Sequence, residues 1–390
     1  MKKFKTLLFI FIAFKLTVLI AYLTYENFAV QLLHFEHLAT EDVQFNDIYY
    51  STNKNKINHI EEKQVVLINA GSINKDTAFR KNLAFLINKV AEYQPKTIGL
   101  DFYFERSTTH DSLLQQVITK NNVVIAIDGK GKHKNIFTSS KKGIFNFPSK
   151  TGETVREYYN FMQIAGNNTP SFVNVLSGVE KEDSVGYLKY CTNNKGFYDI
   201  LNPNEKINIQ NFPAIEAIAI LNSMDTALFR EYIKNKIVII GHLGTDYMEN
   251  EFDVEDKHRV PTDANLFNRN LSMPGAVIHA NAIQMLLQKD ELFAVEGWLY
   301  EFLTCIILFG YLFLFYTIHH KYKLGKLFNI LIILASTIPV IFFACIYLMD
   351  LGIYYKVGSL FMQIAFLEEF IEIAEGFKRK FIKNKTDEKK

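Results

Sequence analysis

The sequence predicts an α/β extracytoplasmic domain with a mainly parallel sheet, joined to four transmembrane α-helices, one N-terminal and three C-terminal. Three observations predict this. Strand and helix periods alternate from residue 64 to 127, apolar runs stand at both ends of the chain around a polar region, 26–296, and Lys and Arg gather on the loops this topology makes cytoplasmic.

Composition narrows the class. Of 390 residues, 49% are hydrophobic and 22% charged, which excludes a disordered chain. Aromatics reach 14% and mean hydropathy is +0.02, high for a chain with long polar stretches, so part of it belongs in lipid. A net charge of +2 without a basic stripe argues against nucleic-acid binding. Of the three cysteines, Cys305 and Cys345 lie in apolar runs and Cys191 stands alone, so neither a disulfide framework nor a zinc site is expected.

The first apolar run, residues 6–25, follows Lys2, Lys3 and Lys5 and is long enough to cross a bilayer. It lacks a small-residue cleavage site and reads as an uncleaved anchor rather than a signal peptide. Lys15 near its middle costs about 2.5 to 3.5 kcal/mol, which the surrounding Leu, Ile, Phe and Val residues outweigh. Trp298 to Ile318 and Leu327 to Met349 form a hairpin of two further spans. A fourth run, Ile353 to Ile373, is interrupted by Lys356, Glu368, Glu369 and Glu372 and by itself could lie at the interface. The charges decide for four spans. With both termini cytoplasmic, the basic loop 319–326 and the tail with Lys378, Arg379 and Lys380 all fall inside. The expected layout is residues 1–25 as cytoplasmic start and first anchor, 26–296 as the extracytoplasmic domain, 297–373 as three spans and 374–390 as a short basic tail.

The exported region carries 28 Lys and Arg against 33 Asp and Glu, a net of −5. It begins with a helix-like pattern (Phe28, Leu32, Phe35) and a polar linker from Ser51 to Asn58. Gln64 to Ala70 is then an apolar strand leading into Gly71-Ser72. Phe79, Leu83, Leu86 and Val90 recur at helical spacing, and Pro95 ends that helix. Thr97 to Phe102 is a strand, Leu113 to Ile118 a helix, and Val123 to Ile127 a strand, a sequence of βαβ units. Lys130 to Lys142 reads as a surface loop. Tyr158 to Ala165, Phe172 to Leu176 and Tyr187 to Tyr190 read as extra strands, and Phe212 to Ile220 as a helix with Pro213 in its first turn. Lys236 to Gly244 is a strand entering a glycine loop. After an acidic loop (Glu249 to Asp256), Pro274-Gly275 opens a last helix, Ala276 to Leu287.

Several of these segments resemble the CHASE type two family, the cyclase- and histidine-kinase-associated sensory extracellular domains. The resemblance rests on Val65 to Ser72, on Ile98 to Phe104 with Asp111 after it, on Gly241 to Gly244, and above all on the closing segment Met273 to Leu287 with its Pro-Gly-Ala-Val-Ile-His-Ala-Asn core. It covers roughly residues 26 to 290, and the layout of one span before and three after is also similar. The resemblance implies an extracytoplasmic sensor. Family members commonly continue into an output domain, whereas this sequence has a short tail, so a separate signalling protein or a homo-oligomer is the expected partner. The stretch from Arg259 to Leu271 is a looser version of the family's loop.

In parallel α/β sheets the carboxyl ends of the strands line the ligand crevice. Ser72, Asp101, Asp128, His242 and Asp246 fall near such ends and are the candidate ligand-binding residues, with Asp101 and His242 foremost. The alternative is that Asp101 caps a helix or binds loop amides, and that the glycines only permit turns. His279 and Asn281 are expected to hydrogen-bond a neighbouring strand or loop, and Cys191 to be a buried small side chain. His110, Asp111, Asp256 and His258 lack the spacing of a metal site. No nucleotide, esterase or metalloprotease motif is present, so neither catalysis nor a cofactor is expected. For Lys15 two readings stand: an intramembrane ion pair with Glu368 or Glu369, or snorkelling to headgroups. The expected function is an extracytoplasmic sensor of an undefined ligand. An envelope scaffold and an envelope enzyme are the alternatives from other classes.

Overall fold

The computed structural model describes residues 8, 10–12, 14–15, 46–52, 63–74, 78–132, 135–149, 153–164, 166–192, 196–202, 211–222, 225–244, 257–262, 272–322, 335, 337, 339–340, 342–355, 357, 360 and 363–364. The chain divides into two units, Tyr50–Leu292 and a second one made of Met1–Tyr49 with Phe293–Lys390.

The first unit is a mixed α/β fold around a parallel sheet. Its strands are β1 (Val65–Asn69), β2 (Thr97–Leu100), β3 (Val124–Ile127), β4 (Lys142–Ile144), β5 (Phe197–Asp199), β6 (Phe212–Glu216) and β7 (Ile237–Gly241). They lie in the order β4-β3-β2-β7-β1-β6-β5, every neighbouring pair parallel. Every residue of β1 and β7 is buried, as expected for the middle of a sheet covered on both faces.

The helices of this unit are α1 (Gly71–Asn74), α2 (Phe79–Glu92), α3 (Asp111–Lys120), α4 (Phe172–Ser177), α5 (Ala217–Leu221), α6 (Thr226–Ile233) and α7 (Gly275–Gln288). On one face, Val66, Ile68, Ile98, Leu100, Val238 and Ile240 pack with Leu83, Leu86, Ile87 and Val90 of α2, Leu114 and Ile118 of α3, Ile220 of α5 and Phe229 of α6. Alternate strand residues thus meet helix residues at three- and four-residue spacing. On the other face α7 packs against β1 and β7, and α4 packs against α7 and against β2 to β4. Residues Gly275 to Leu286 of α7 are all buried, consistent with an apolar helix wedged between layers.

β1, α2, β2, α3, β3, β7 and α7 follow the sequence expectation, and several other segments do not. Phe172 to Leu176 is helix α4, not a strand. Ser171 Oγ accepts from Asn174 N at 3.1 Å, and Gly178 closes the helix with φ +71°. Phe212 to Ile220 is strand β6 followed by short α5, not one helix. Pro213 stands ahead of Ala214, the first residue in register with β1, so its missing N–H is tolerated. Lys142 opens edge strand β4 and is not the end of a loop. Of the other expected extra strands, Glu157–Tyr159 pairs antiparallel with Val185–Tyr187, and Phe161–Ile164 with Asn167–Pro170, while 188–190 are not in a strand. Ser51 and Thr52 close a short helix, Asp47–Thr52, rather than opening a linker. The Phe28 to Phe35 pattern and the acidic Glu249 to Asp256 loop lie outside the described residues.

In the second unit, helix α8 (Gly297–Tyr322) holds the one stretch among the described residues long and apolar enough to cross a membrane, Gly297–Thr317. Trp298, Phe302 and Phe313 are 78%, 56% and 58% exposed. Its opposite face, with Leu308, Leu312 and Phe315, packs with Ile10, Phe14, Leu360 and Ile364. The expected first and fourth spans lie largely outside the described residues, and the third, Leu327 to Met349, lies partly outside them. Where they are described, residues 8–15 and 335–350 are helical, with one π turn at Ala344–Leu348. Ile353 does not begin a helix: Ile353–Tyr354 pairs parallel with Phe293–Ala294, and helical residues resume at Val357.

Candidate ligand site at the carboxyl edge of the sheet

Because the strands are parallel, one edge of the sheet collects all their carboxyl ends. Strands β2, β7, β1 and β6 stand side by side there and deliver Asp101, His242, the Asn69 to Ser72 turn and Glu216. Asn69, 3% exposed, joins three of these strands. Its Oδ1 accepts from Gly71 N and Leu243 N, both at 3.0 Å, and its Nδ2 donates to Gly244 O at 3.0 Å and to Glu216 Oε1 at 2.7 Å. All four hydrogen-bonding positions of that carboxamide are therefore filled. Ser72 Oγ donates to the other Glu216 oxygen at 3.0 Å.

The backbone at this edge is tight. A Cβ on Gly71 would strike the Gly244 carbonyl oxygen, and one on Gly241 would stand 2.9 Å from Ala276 Cβ and 3.7 Å from Asp101 Oδ2. Glycine is needed at both places to let strand, loop and α7 approach. Asp101 N bonds Ile240 O at 2.9 Å, which holds Asp101 beside β7. His242 is half-buried, and its Nδ1 is enclosed without a hydrogen-bond partner. The edge thus offers an imidazole nitrogen, a serine hydroxyl and two carboxylates, groups that recognise a ligand through its own donors and acceptors.

The structure puts Asp101, His242 and Ser72 just past the ends of the adjacent strands β2, β7 and β1, and Asp128 past the end of β3, the next strand beyond β2. Asp128 binds its own loop, accepting from Lys130 N at 2.9 Å and Lys132 N at 2.7 Å. Binding of loop amides, the alternative considered for Asp101, is thus what Asp128 does. Asp246 lies outside the described residues. Sequence reasoning missed Asn69 and Glu216. The available signal was a polar residue ending an apolar run: Val-Val-Leu-Ile-Asn in β1 and Phe-Pro-Ala-Ile-Glu in β6.

Helix α7 carries a second polar set. Asn281 Oδ1 accepts from Cys191 N at 2.9 Å, from Cys191 Sγ at 3.3 Å and from Thr192 Oγ1 at 3.2 Å, so Asn281 secures a neighbouring loop as expected. Cys191 is more than filler, since Lys63 Nζ lies 3.4 Å from its Sγ. Burial pushes the Cys191 thiol up and the Lys63 ammonium down from their ordinary pKa values. His279 departs from expectation. Its Nδ1 has no partner, and the ring stacks on Phe147 at 4.8 Å with the Phe172 ring at 5.5 Å. Burial, with His258 nearby, lowers its pKa to about 3. Asp111 is engaged by Arg80 and Thr108, and Asp256 lies outside the described residues.

In the second unit, Lys15 Nζ lies 3.4 Å from Glu301 Oε2 and 3.1 Å from Gln363 Oε1. The amino-terminal helical segment is thereby tied to α8 and to the segment after Ile353. Glu368 and Glu369, the expected partners, lie outside the described residues.

Comparison with characterised proteins and with solved structures gives no match. A comparison with family models does: with its parallel sheet, its glycine-lined carboxyl edge and its closing helix α7, the chain matches the CHASE2 domain over residues 16–315, and it belongs to that family of extracellular sensory domains.

Proposed function

We propose that the protein is a multi-pass sensor of the inner membrane that binds an extracytoplasmic ligand at the carboxyl edge of the sheet and passes the signal to a partner. Residues 26–296 lie outside the bilayer, residues 297–373 cross it three times after the first anchor, and both termini face the cytoplasm. Support comes from the family's sensory role, from the lipid-compatible face of α8 with Trp298 and Phe302 exposed, and from the distribution of Lys and Arg among the loops. The edge cluster is assigned to binding and not to catalysis. The observation that carries the ligand assignment is the enclosed, unpartnered Nδ1 of His242, at the end of β7 between β2, which leads into Asp101, and β1, which leads into Ser72. A bound molecule stabilises the protein by mass action and shifts it only by its differential affinity for two states, which a kinase, a cyclase or a second copy of the chain then reads.

Two experiments test this. Protease added to intact spheroplasts should cut within 50–292, and a reporter fused after Lys390 should report cytoplasm; an uncut domain or an external reporter sinks the topology. The full chain in nanodiscs should show a thermal shift with a member of a panel of small molecules, ions and cell-wall fragments, and His242→Ala and Glu216→Gln should each abolish it. A shift that both variants retain removes the site from this edge.

A further inference from the structure

The opposite, amino-terminal edge of the same sheet holds two adjoining clefts. The larger, of about 390 Å³, is lined by Gln64 ahead of β1, Lys96 ahead of β2, Asn235 and Ile237 at the start of β7, and Gln284 and Gln288 of α7. The smaller, of about 210 Å³, shares Lys96 and adds Gln94, Asn122 and Lys141 among its walls. Among the described residues no carboxylate lines either cleft, and neither Lys96 nor Lys141 has a carboxylate partner. Both clefts are therefore cationic and rich in amide donors.

A buried group points the same way. Gln284 is 0% exposed and forms part of the wall of the larger cleft. Its Oε1 accepts from Gln64 N at 2.8 Å, which fixes the orientation of the carboxamide, and its Nε2 is left without an acceptor. Buried donors are normally satisfied, so an orphan at the wall of a cleft calls for an acceptor brought in from outside. An anion supplies both what Gln284 lacks and what Lys96 can pair.

We propose that this amino-edge cleft is a second binding site, separate from the carboxyl-edge cluster, for a small ligand bearing an oxyanion, either a carboxylate or a phosphate. Lys96 and the Gln284 amide hold the oxyanion, and Gln64, Asn235 and Gln288 surround the rest of the ligand. Nothing at the carboxyl edge is needed for this.

Isothermal titration calorimetry of the full chain in nanodiscs, at constant ionic strength, tests the site with two probes, citrate and inorganic phosphate. Saturable binding of at least one is expected, with citrate alone marking a carboxylate site and phosphate alone a phosphate site. Lys96→Gln, at an exposed position that leaves the fold intact, should weaken binding about ten-fold. Gln284→Leu should abolish it, and His242→Ala should leave it unchanged. Absence of saturable heat with both probes, or binding that Lys96→Gln does not alter, overturns the proposal.

Discussion

Asn69 and Glu216 face each other in register on the parallel strands β1 and β6, and their side chains meet at 2.7 Å at the carboxyl edge of the sheet. Through the remaining bonds of Asn69 to Gly71, Leu243 and Gly244, this pair locks the turn after β1 to the glycine loop after β7. The carboxylate is held by donors from both Asn69 and Ser72, which fix its orientation at the edge.

Replacing Asn69 by Asp keeps an acceptor for Gly71 and Leu243 but puts a second carboxylate oxygen against Glu216 and the Gly244 carbonyl. The loss should be about 2–4 kcal/mol at neutral pH, because a buried charge then lacks a counterion. Acidification should recover part of it by protonating one of the two carboxyls. Thermal melts of the full chain in nanodiscs at pH 7.5 and 5 measure both effects; an unchanged melting temperature for Asn69→Asp would show that the pair does not hold the edge.

Gly241 meets α7 so closely that a Cβ would stand 2.9 Å from Ala276 Cβ. Gly241→Val must push α7 away from β7 or bend the strand, at a cost of about 1–3 kcal/mol. Ligand binding at the carboxyl edge should weaken with it, since Asp101 and His242 flank the same position. Pairing the substitution with Ala276→Gly should recover part of the stability; a double variant no better than Gly241→Val places the strain elsewhere.

The elements read correctly from sequence are those in which the apolar period is long or the strand is buried on both faces. Leu83, Leu86 and Val90 in α2, and Val65 to Asn69 in β1, admit one interpretation each. Short apolar runs do not, because five residues of Phe-Val-Asn-Val-Leu suit a strand or a helix equally. For α4 the deciding signals were Ser171 and Gly178 at its two ends, which cap a helix. In β6, Pro213 resembled a first-turn helical proline because a parallel edge partner such as β5, only three residues long, leaves almost no pattern of its own. Asp101, His242 and Ser72 were legible as ends of recognised strands. Asn69 and Glu216 were not, since their roles depend on β1 and β6 being neighbours, and strand order is a long-range property that local periodicity does not encode.

Lys15 meets Glu301 and Gln363, an ion pair and an amide contact that link three segments of the second unit. Lys15→Glu would set two carboxylates against each other where Lys15 now sits, and the amount of protein in the membrane should fall several-fold. Glu301→Lys in the same chain should restore it, because the pair is then reversed and not removed. Immunoblotting of membrane fractions gives the answer; if the reversal rescues nothing, Lys15 acts through snorkelling alone.

His279 makes stability depend on pH with a definite sign. Burial, then the neighbouring His258, lowers its pKa from 6.5 to about 3 in the folded chain. Above pH 6.5 the imidazole is neutral in both folded and unfolded chains, and its contribution is fully present. Between 6.5 and about 3 the unfolded chain binds a proton that the Phe147 and Phe172 surroundings exclude, so stability falls as pH is lowered. Each pH unit in that window costs about 1.4 kcal/mol. Carboxylates titrate in part of the same range, so the measurement is a difference between two proteins. His279→Leu keeps an apolar side chain beside Phe147 and has no proton to bind. Its melting temperature should therefore fall less steeply than that of the unaltered chain between pH 6.5 and 4.5, with the two curves running parallel above pH 7. Parallel curves throughout would mean that the ring is protonated in the folded state, which its packing between two aromatic rings argues against.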